Sequence, residues 1–365
     1  MPALKVIISG GGTGGHVFPA IAIADAIKSL RPEAEILFVG AIGRLEMEKV
    51  PEAGYQIEGL NISGLQRRLT FKNLSFPFKV LGSLIKARKI VKKFNPDVAV
   101  GVGGYASGPL LRTAASKGIP TVIQEQNSYP GITNKLLAKK AKKICVAYEG
   151  MEKFFPPSKI FLSGNPVRKK VFQIEGKREQ AISHFGLDPN KKTVLIIGGS
   201  LGAKTINESI NAAIPEIAKH GSIQIIWQSG KSYAETATQS IKNNGFTAVF
   251  IKEMDLAYAA ADITISRAGA MSISELCLIA KPCILVPSPH VAEDHQTRNA
   301  EALVVKKAAI MVKDSEARNS LWNQAYALLN NDELKNELAA NIKKLGIADA
   351  DIRIAKEVIQ IAEQK

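Results

Sequence analysis

Cysteine is scarce in this sequence: Cys145, Cys277 and Cys283 are the only three in 365 residues. Three thiols so far apart offer neither a disulfide framework nor metal-ligand spacing, and they suit a reducing cytosol. No run is long and apolar enough to span a bilayer. The first apolar run, Leu4–Ile8, is too short for a signal peptide. Aromatic residues make up only 6% of the chain. With few rings to stack on bases and no RNA- or DNA-binding motif, basicity would be the sole argument for nucleic acid, and no such partner is expected. Negative charge is short as well: 33 acidic residues stand against 48 basic ones, a net charge of +15. That balance points to an anionic partner, a membrane surface or a phosphorylated substrate. A last absence is local. The second predicted strand, Glu35–Val39, runs into Gly40, Ala41, Ile42 and Gly43. A nicotinamide-binding unit keeps a ribose-holding acid there, so NAD is disfavoured.

What is present is glycine in one telling place. Residues 7–20 read IISGGGTGGHVFPA. A short apolar strand leads into Gly10, Gly11, Gly12, Thr13, Gly14 and Gly15, then His16, then a helical pattern through Ile21, Ile23, Ala24 and Ile27. Glycine lets a ligand approach the backbone amides closely. A helix N-terminus beyond such a loop favours an anion. Two readings stand. The loop only joins strand to helix, or it is a site whose His16, at the mouth of the amides, moves a proton.

Residues 1–125 alternate between strand and helix patterns. Strands are predicted at Leu4–Ile8, Glu35–Val39, Asp97–Val102 and Thr121–Glu125, and helices at Pro19–Leu30, Leu45–Glu52, Leu81–Phe94 and Gly108–Lys117. This alternation predicts a parallel, doubly wound sheet, with ligands beyond the carboxyl ends of its strands. A second glycine turn, GGYASGP at 103–109, lies at such an end. Gln124, Glu125, Gln126 and Asn127 lie at another, either reading a polyhydroxylated ligand or satisfying their own backbone. The stretch Phe71–Phe94 interleaves Phe71, Leu74, Phe76, Phe78 and Leu81 with Lys72, Lys79, Lys86, Arg88 and Lys89. An apolar wedge with a basic collar docks on anionic membranes. The same composition also fits a core helix with a solvated lysine face.

Ser163–Arg168 (SGNPVR) reads as a domain junction, with Arg168 either a phosphate fork or a solvated linker side chain. The pattern then restarts. Strands are predicted at Thr193–Ile197, Ile223–Trp227, Ala248–Ile251, Ile263–Ser266 and Cys283–Val286, with a glycine loop at 198–203 before a helix at Ile206–Ala218. Two Rossmann-like domains in tandem predict a cleft between two carboxyl edges. A helix starting near Ala270 can hold a diphosphate on its first amides. Glu275 can accept two ribose hydroxyls or serve as a cap. His290, Glu293, Asp294 and His295 lack helical metal-ligand spacing, and no metal is expected. The tail, Ala348–Gln364, carries Ile352, Ala355, Ile359 and Ala362 at helical spacing and is expected to pack back on the first domain.

GGTGGHVFPA (11–20), GGYASGP (103–109), EQN (125–127), GNPVR (164–168), GGSLGA (198–203) and the Ser266–Glu275 stretch occur together in an order that resembles the MurG family of N-acetylglucosaminyltransferases, over nearly the whole chain. The resemblance implies an α/β fold of the GT-B type, two Rossmann-like doubly wound parallel-sheet domains facing across a cleft. An acceptor and membrane-docking domain would span 1–163 with a helix from 345–365, and a UDP-sugar donor domain 164–344. It implies inverting transfer of N-acetylglucosamine from UDP-N-acetylglucosamine to the muramoyl 4-hydroxyl of undecaprenyl-pyrophosphoryl-muramoyl-pentapeptide. No cofactor is implied, and the place of work would be the cytoplasmic face of the bacterial membrane, peripherally. His16 is the first candidate base and Glu125 the second. For the donor, the backbone near Ile251 would meet uracil and Glu275 the ribose. Arg168, Ser200 and the amides of Ala270, Met271, Ser272, Ile273 and Ser274 would meet the diphosphate. Thr13, Gly14, Gly15, Asn127 and Gln296 would touch the sugar. The acceptor pyrophosphate would lie near Gly11, Gly12, Gly103, Gly104, Tyr105 and Ser107. Phe71, Leu74, Phe76, Phe78, Lys79 and Leu81 match the membrane-docking region. A GT-B enzyme with another acceptor, or a non-catalytic UDP-sugar-binding protein, are the competing readings.

Overall fold

Strand and helix alternate throughout the computed structural model, which describes residues 3–63, 76–199, 202–242 and 244–364. The chain divides into two units, residues 1–167 with 348–365, and residues 168–347. The first holds β1 (Lys5–Gly10), α1 (Gly14–Leu30), β2 (Glu35–Ala41), α2 (Glu46–Glu52), β3 (Gln56–Leu60), α3 (Phe76–Phe94), β4 (Val98–Gly103), α4 (Ser107–Ser116), β5 (Thr121–Glu125), α5 (Ile132–Ala138), β6 (Lys143–Val146) and β7 (Ile160–Leu162). The second holds α6 (Lys169–Phe172), α7 (Arg178–His184), β8 (Lys192–Ile197), α8 (Lys204–His220), β9 (Ile223–Gln228), α9 (Ala234–Ile241), β10 (Gly245–Ala248), α10 (Met254–Ala260), β11 (Ile263–Ser266), α11 (Ala270–Ile279), β12 (Cys283–Leu285), α12 (His295–Val304), β13 (Ile310–Met311), α13 (Ala317–Leu329) and α14 (Asp332–Lys343). Helix α15 (Ala350–Glu363) returns to the first unit.

All recorded strand pairings are parallel. The sheet orders are β3-β2-β1-β4-β5-β6-β7 and β10-β9-β8-β11-β12-β13. Each strand of a doubly wound sheet is apolar on both faces, and β1 shows why. Val6 and Ile8 pack with Val17, Ile23 and Ile27 of α1, while Ile7 points the other way, into a cluster with Ala87, Val91, Leu110 and Leu111. The α1 side is closed by α15, whose Ile354, Ala355, Val358 and Ala362 join the cluster of Val6 and Ile8. Lys143 pairs with Glu357 at 3.1 Å, Arg353 donates to the Leu162 carbonyl at 2.8 Å, and Arg31 pairs with Glu363.

Several predicted boundaries move: the helix predicted at Leu81–Phe94 begins at Phe76, and two other shifts bear on the loops. Helix α1 begins at Gly14 rather than at Pro19, so Gly14, Gly15 and His16 form its first turn. Pro19 lies inside the helix, where its missing N–H withholds the helical partner of the Gly15 carbonyl. The strand predicted at Ala248–Ile251 is β10, Gly245–Ala248, and Val249 and Phe250 beyond it are exposed. A Cβ on Gly245 would stand 2.0 Å from the Ile225 carbonyl oxygen. The glycine therefore lets β10 pair here, ahead of the more apolar run.

Candidate active site

In the first sheet the strand order reverses between β1 and β4, the switch point where doubly wound folds bind ligands. The two loops that leave these strands pack backbone to backbone. Gly11 N–H donates to the Gly103 carbonyl at 3.3 Å. A Cβ on Gly104 would lie 2.4 Å from the Gly11 oxygen, and one on Gly103 would lie 2.5 Å from Cδ2 of His16. Both glycines have positive φ, +100° at Gly103 and +89° at Gly104. The imidazole of His16 therefore rests on a bare stretch of backbone. Its Nδ1 is 3.2 Å from Thr13 Oγ1. In the tautomer whose Nδ1–H donates to that hydroxyl, Nε2 keeps the lone pair that a base needs.

The loop also contains an anion of its own. Glu46, at the start of α2, is only 1% exposed. Its Oε2 accepts Gly12 N–H at 2.7 Å, and its Oε1 accepts Ala41 N–H at 2.9 Å. A Cβ on Gly11 would sit 2.2 Å from that carboxylate, and one on Gly40 2.5 Å from its Cγ. Gly40 is thus small because Glu46 crosses it. The amides of Gly11 and Gly12, expected to meet the acceptor, are engaged within the protein. Ser107 requires a similar correction. It is fully buried, its hydroxyl within hydrogen-bond reach of the Gly103 and Ser9 carbonyls at 2.8 and 3.0 Å. Tyr105, 45% exposed, presents its side chain outward.

The QEQN run mostly satisfies itself. Gln124, Glu125 and Gln126 are buried. Glu125 accepts from Asn127 N–H at 3.0 Å, Asn127 Nδ2 at 3.3 Å, Gly131 N–H at 3.3 Å and Asn134 Nδ2 at 2.8 Å. Burial pushes its carboxyl upward, against the pull of those donors. With both oxygens committed, Glu125 acts as a clamp on the loop rather than a base at its rim. Gln124 donates to Asn165 Oδ1 at 2.9 Å, and Asn165 Nδ2 to the Gln126 carbonyl at 3.0 Å. The GNP turn is thus locked to β5 and is no loose linker.

In the second sheet the order reverses between β8 and β11. Helix α11 leaves β11 behind Gly269, with no acid in its first turn and no side-chain cap. Ile273 N–H already donates to the Gly269 carbonyl at 2.9 Å, and the Ile273 side chain is buried. The Ser274 hydroxyl donates to the Ala270 carbonyl at 2.9 Å. The amides that precede the first helical bond narrow to Ala270, Met271 and Ser272. Glu275 follows one turn in and accepts the Tyr258 hydroxyl at 3.0 Å. Burial raises its carboxyl to about 7, while Tyr258 and the positive charge of the exposed Arg168 pull it down.

Gln228 ties this half together. Its Oε1 accepts Ile251 N–H at 2.9 Å and its Nε2 donates to the Gly199 carbonyl at 3.0 Å. The Ile251 amide therefore has an internal partner. Gln296 Oε1 accepts Ser288 N–H at 2.9 Å. Arg267 braces the Val286 carbonyl at 3.0 Å and Asp314 at 2.5 Å. Ser200, Phe71 and Leu74 lie outside the described residues. Among those described, no three His, Cys, Asp or Glu side chains gather as a metal site would require. On α3, Phe78 (78% exposed) and Leu81 (58%) stand out with Ile85, while Phe76 and Lys79 are half-buried.

Switch points with glycine loops are common to many doubly wound folds, and comparison with known proteins names the family. Residues 6–146 match the glycosyltransferase family 28 N-terminal domain and residues 193–354 its C-terminal domain. The N-acetylglucosamine transferase of Bacteroides fragilis that is named for UDP-N-acetylglucosamine and N-acetylmuramyl-(pentapeptide) pyrophosphoryl-undecaprenol is 58% identical over 99% of this chain and 97% of its own. The chain belongs to the MurG family. A Flavobacterium psychrophilum relative of the same name is 54% identical over the full length of both. The crystal structure of Acinetobacter baumannii MurG superposes with a TM-score of 0.79 at 27% identity, covering 98% of this chain and 99% of that one. The fold is accordingly GT-B. Glu46, Gln228 and Tyr258 were absent from the motif reading. The signal for Glu46 was there, an acid placed soon after a glycine-rich strand end, but the pairing of that strand with the first loop is not written in the sequence.

Proposed function

We propose that this protein transfers N-acetylglucosamine from UDP-N-acetylglucosamine to the muramoyl 4-hydroxyl of undecaprenyl-pyrophosphoryl-muramoyl-pentapeptide, with inversion. What carries the reading is 58% identity across the chain to a transferase named for that donor and acceptor. The acceptor oxygen attacks the anomeric carbon, its proton passes to His16 Nε2, and the bond from that carbon to the diphosphate oxygen breaks with its electrons. UDP departs with the added negative charge. Arg168 and the amides of Ala270, Met271 and Ser272 stabilise it in place, and Ser200 adds a hydroxyl to the same group. Glu275 accepts the ribose hydroxyls, which requires its ionised form. The nucleobase lies against the backbone at Ile251. Thr13, Gly14, Gly15, Asn127 and Gln296 orient the transferred sugar. Glu125 holds the Asn127 loop in register for that task.

The protein works at the cytoplasmic membrane surface. No described helix is long and apolar enough to span a bilayer. Phe78, Leu81 and Ile85 form an exposed apolar stripe on α3, with Lys86, Arg88, Lys89, Lys92 and Lys93 exposed along the same helix. Such a face enters the headgroup region and is held there by anionic lipid. Flotation with anionic liposomes tests this: Phe78→Asp and high salt should each leave protein at the bottom of the gradient, and indifference to both defeats the docking role.

The reaction is tested by following labelled N-acetylglucosamine from its UDP donor into the lipid product, with and without EDTA. Transfer that persists in EDTA fits a leaving group stabilised by protein alone. His16→Ala should lower kcat about 10²- to 10⁴-fold with donor binding retained. Unchanged turnover in that variant removes His16 as base. Donor binding with no transfer to this acceptor removes the acceptor assignment.

A further inference from the structure

We propose that Arg44 is an acceptor-binding residue whose guanidinium, laid over the ring of Tyr105, receives an oxyanion of the lipid-linked acceptor. This rests on the acceptor assignment made above. The Gly11–Gly12 turn, where glycine loops usually greet an anion, is already engaged. Glu46 occupies the Gly12 amide at 2.7 Å and fixes a negative charge beneath the loop. An anionic acceptor brought to these loops needs a cation, and the segment anchored by Glu46 supplies one.

That segment is built to hold its shape. Arg44 N–H closes a turn on the Ala41 carbonyl at 3.2 Å. Gly43, at φ +74°, allows the reversal. Glu46 then pins the Ala41 amide at 2.9 Å to the same carboxylate that holds Gly12. Arg44 is left exposed, its guanidinium carbon 5.9 Å from the centre of the Tyr105 ring. Among the described residues no carboxylate is recorded in an ion pair with it. A guanidinium resting on an aromatic face keeps its planar fork of N–H groups for a bidentate oxyanion. Tyr105, itself exposed on the loop after β4, sets where that fork can lie. The acceptor offers such oxygen pairs in its diphosphate and in the carboxylates of its peptide stem.

The test is steady-state kinetics of wild type, Arg44→Ala and Arg44→Lys on the lipid-pyrophosphoryl-muramoyl-pentapeptide, and on the same acceptor with its stem carboxylates amidated. Arg44→Ala should raise acceptor KM about 10- to 100-fold, the range for a lost charged hydrogen bond, with donor KM unchanged. Lysine should recover part of it, since it keeps the charge and loses the fork. If the diphosphate is the partner, the ratio of mutant to wild type is the same on both acceptors. If a stem carboxylate is the partner, wild type weakens on the amidated acceptor and the ratio falls towards one. An acceptor KM within about twofold of wild type for Arg44→Ala, or a donor KM that rises in step, overturns the proposal. If wild type itself transfers nothing, the acceptor assignment falls and this inference with it.

Discussion

The loop before α1 and the loop before α11 begin from the same plan, a buried strand, small residues and a helix, yet they create opposite fields. Behind the first, Glu46 buries a carboxylate against the Gly12 amide. Behind the second there is no acid in the first helical turn, and the cation Arg168 is close enough to act on Glu275. A positive field at α11 favours a diphosphate that gains charge. A glycine loop ahead of a helix is therefore an open anion site only where the chain has not filled it with its own carboxylate.

The comparison can be broken most severely at the histidine. Gly103→Ala puts a methyl where the His16 ring rests and strains a backbone at φ +100°. Turnover should fall by about 10²-fold or more, with donor affinity, read by calorimetry, unaltered. A smaller step makes the second loop resemble the first. Ser272→Asp places a carboxylate on the open amides of α11, so donor KM should rise about tenfold or more while the melting temperature rises slightly, as a helix-terminal anion gains about 0.3–1 kcal/mol. Loss of stability without a donor defect would show that these amides are not the diphosphate site. The converse change, Glu46→Gln, replaces one acceptor with a donor facing an N–H. It should cost about 1–3 kcal/mol in urea unfolding and lower kcat more than donor affinity.

Titration sharpens the same contrast. Glu275 is raised to about 7 when folded, from an ordinary value of 4.5. The folded protein thus binds the extra proton between these values, and stability falls as pH rises from about 4.5 to 7. Ionised Glu275 costs on the order of 3 kcal/mol above that window. Glu275→Gln should therefore raise the melting temperature more at pH 8 than at pH 5. Donor affinity in wild type should weaken as pH drops through 7, because the ribose needs the carboxylate. Tyr258→Phe removes a hydrogen bond that favours the ionised form. The smallest expected effect is an upward shift of that donor-binding transition, by less than about one pH unit. No movement would uncouple the tyrosine from the ribose site.

Much of this fold was legible because its strands are apolar runs between glycine turns, as at Ile7–Gly12 and Thr193–Gly199. β3 was not, since QIEGL mixes polar residues into an edge strand. β6 and β7, four and three residues long, carry too little periodicity to stand out. At the site, motifs identified the loops but not how each is used. The sequence of Ser107 looks like a ligand hydroxyl, and only the packing of β4 against β1 turns it inward. The partners Glu46–Gly12 and Gln228–Ile251 are 34 and 23 residues apart, so they meet through the order of strands rather than through local pattern.

The return of α15 to the first unit has a consequence for biosynthesis. Residues 348–365, which complete the hydrophobic cluster around Val6, Ile8 and Ile27, are made after all of 168–347. Domains generally mature in the order of synthesis, but here the first unit emerges early and waits with one face uncovered while the second is translated. A nascent chain stalled near residue 347 should therefore bind a hydrophobic dye and be cleaved within the first unit, and should lose both properties once the last helix clears the ribosome.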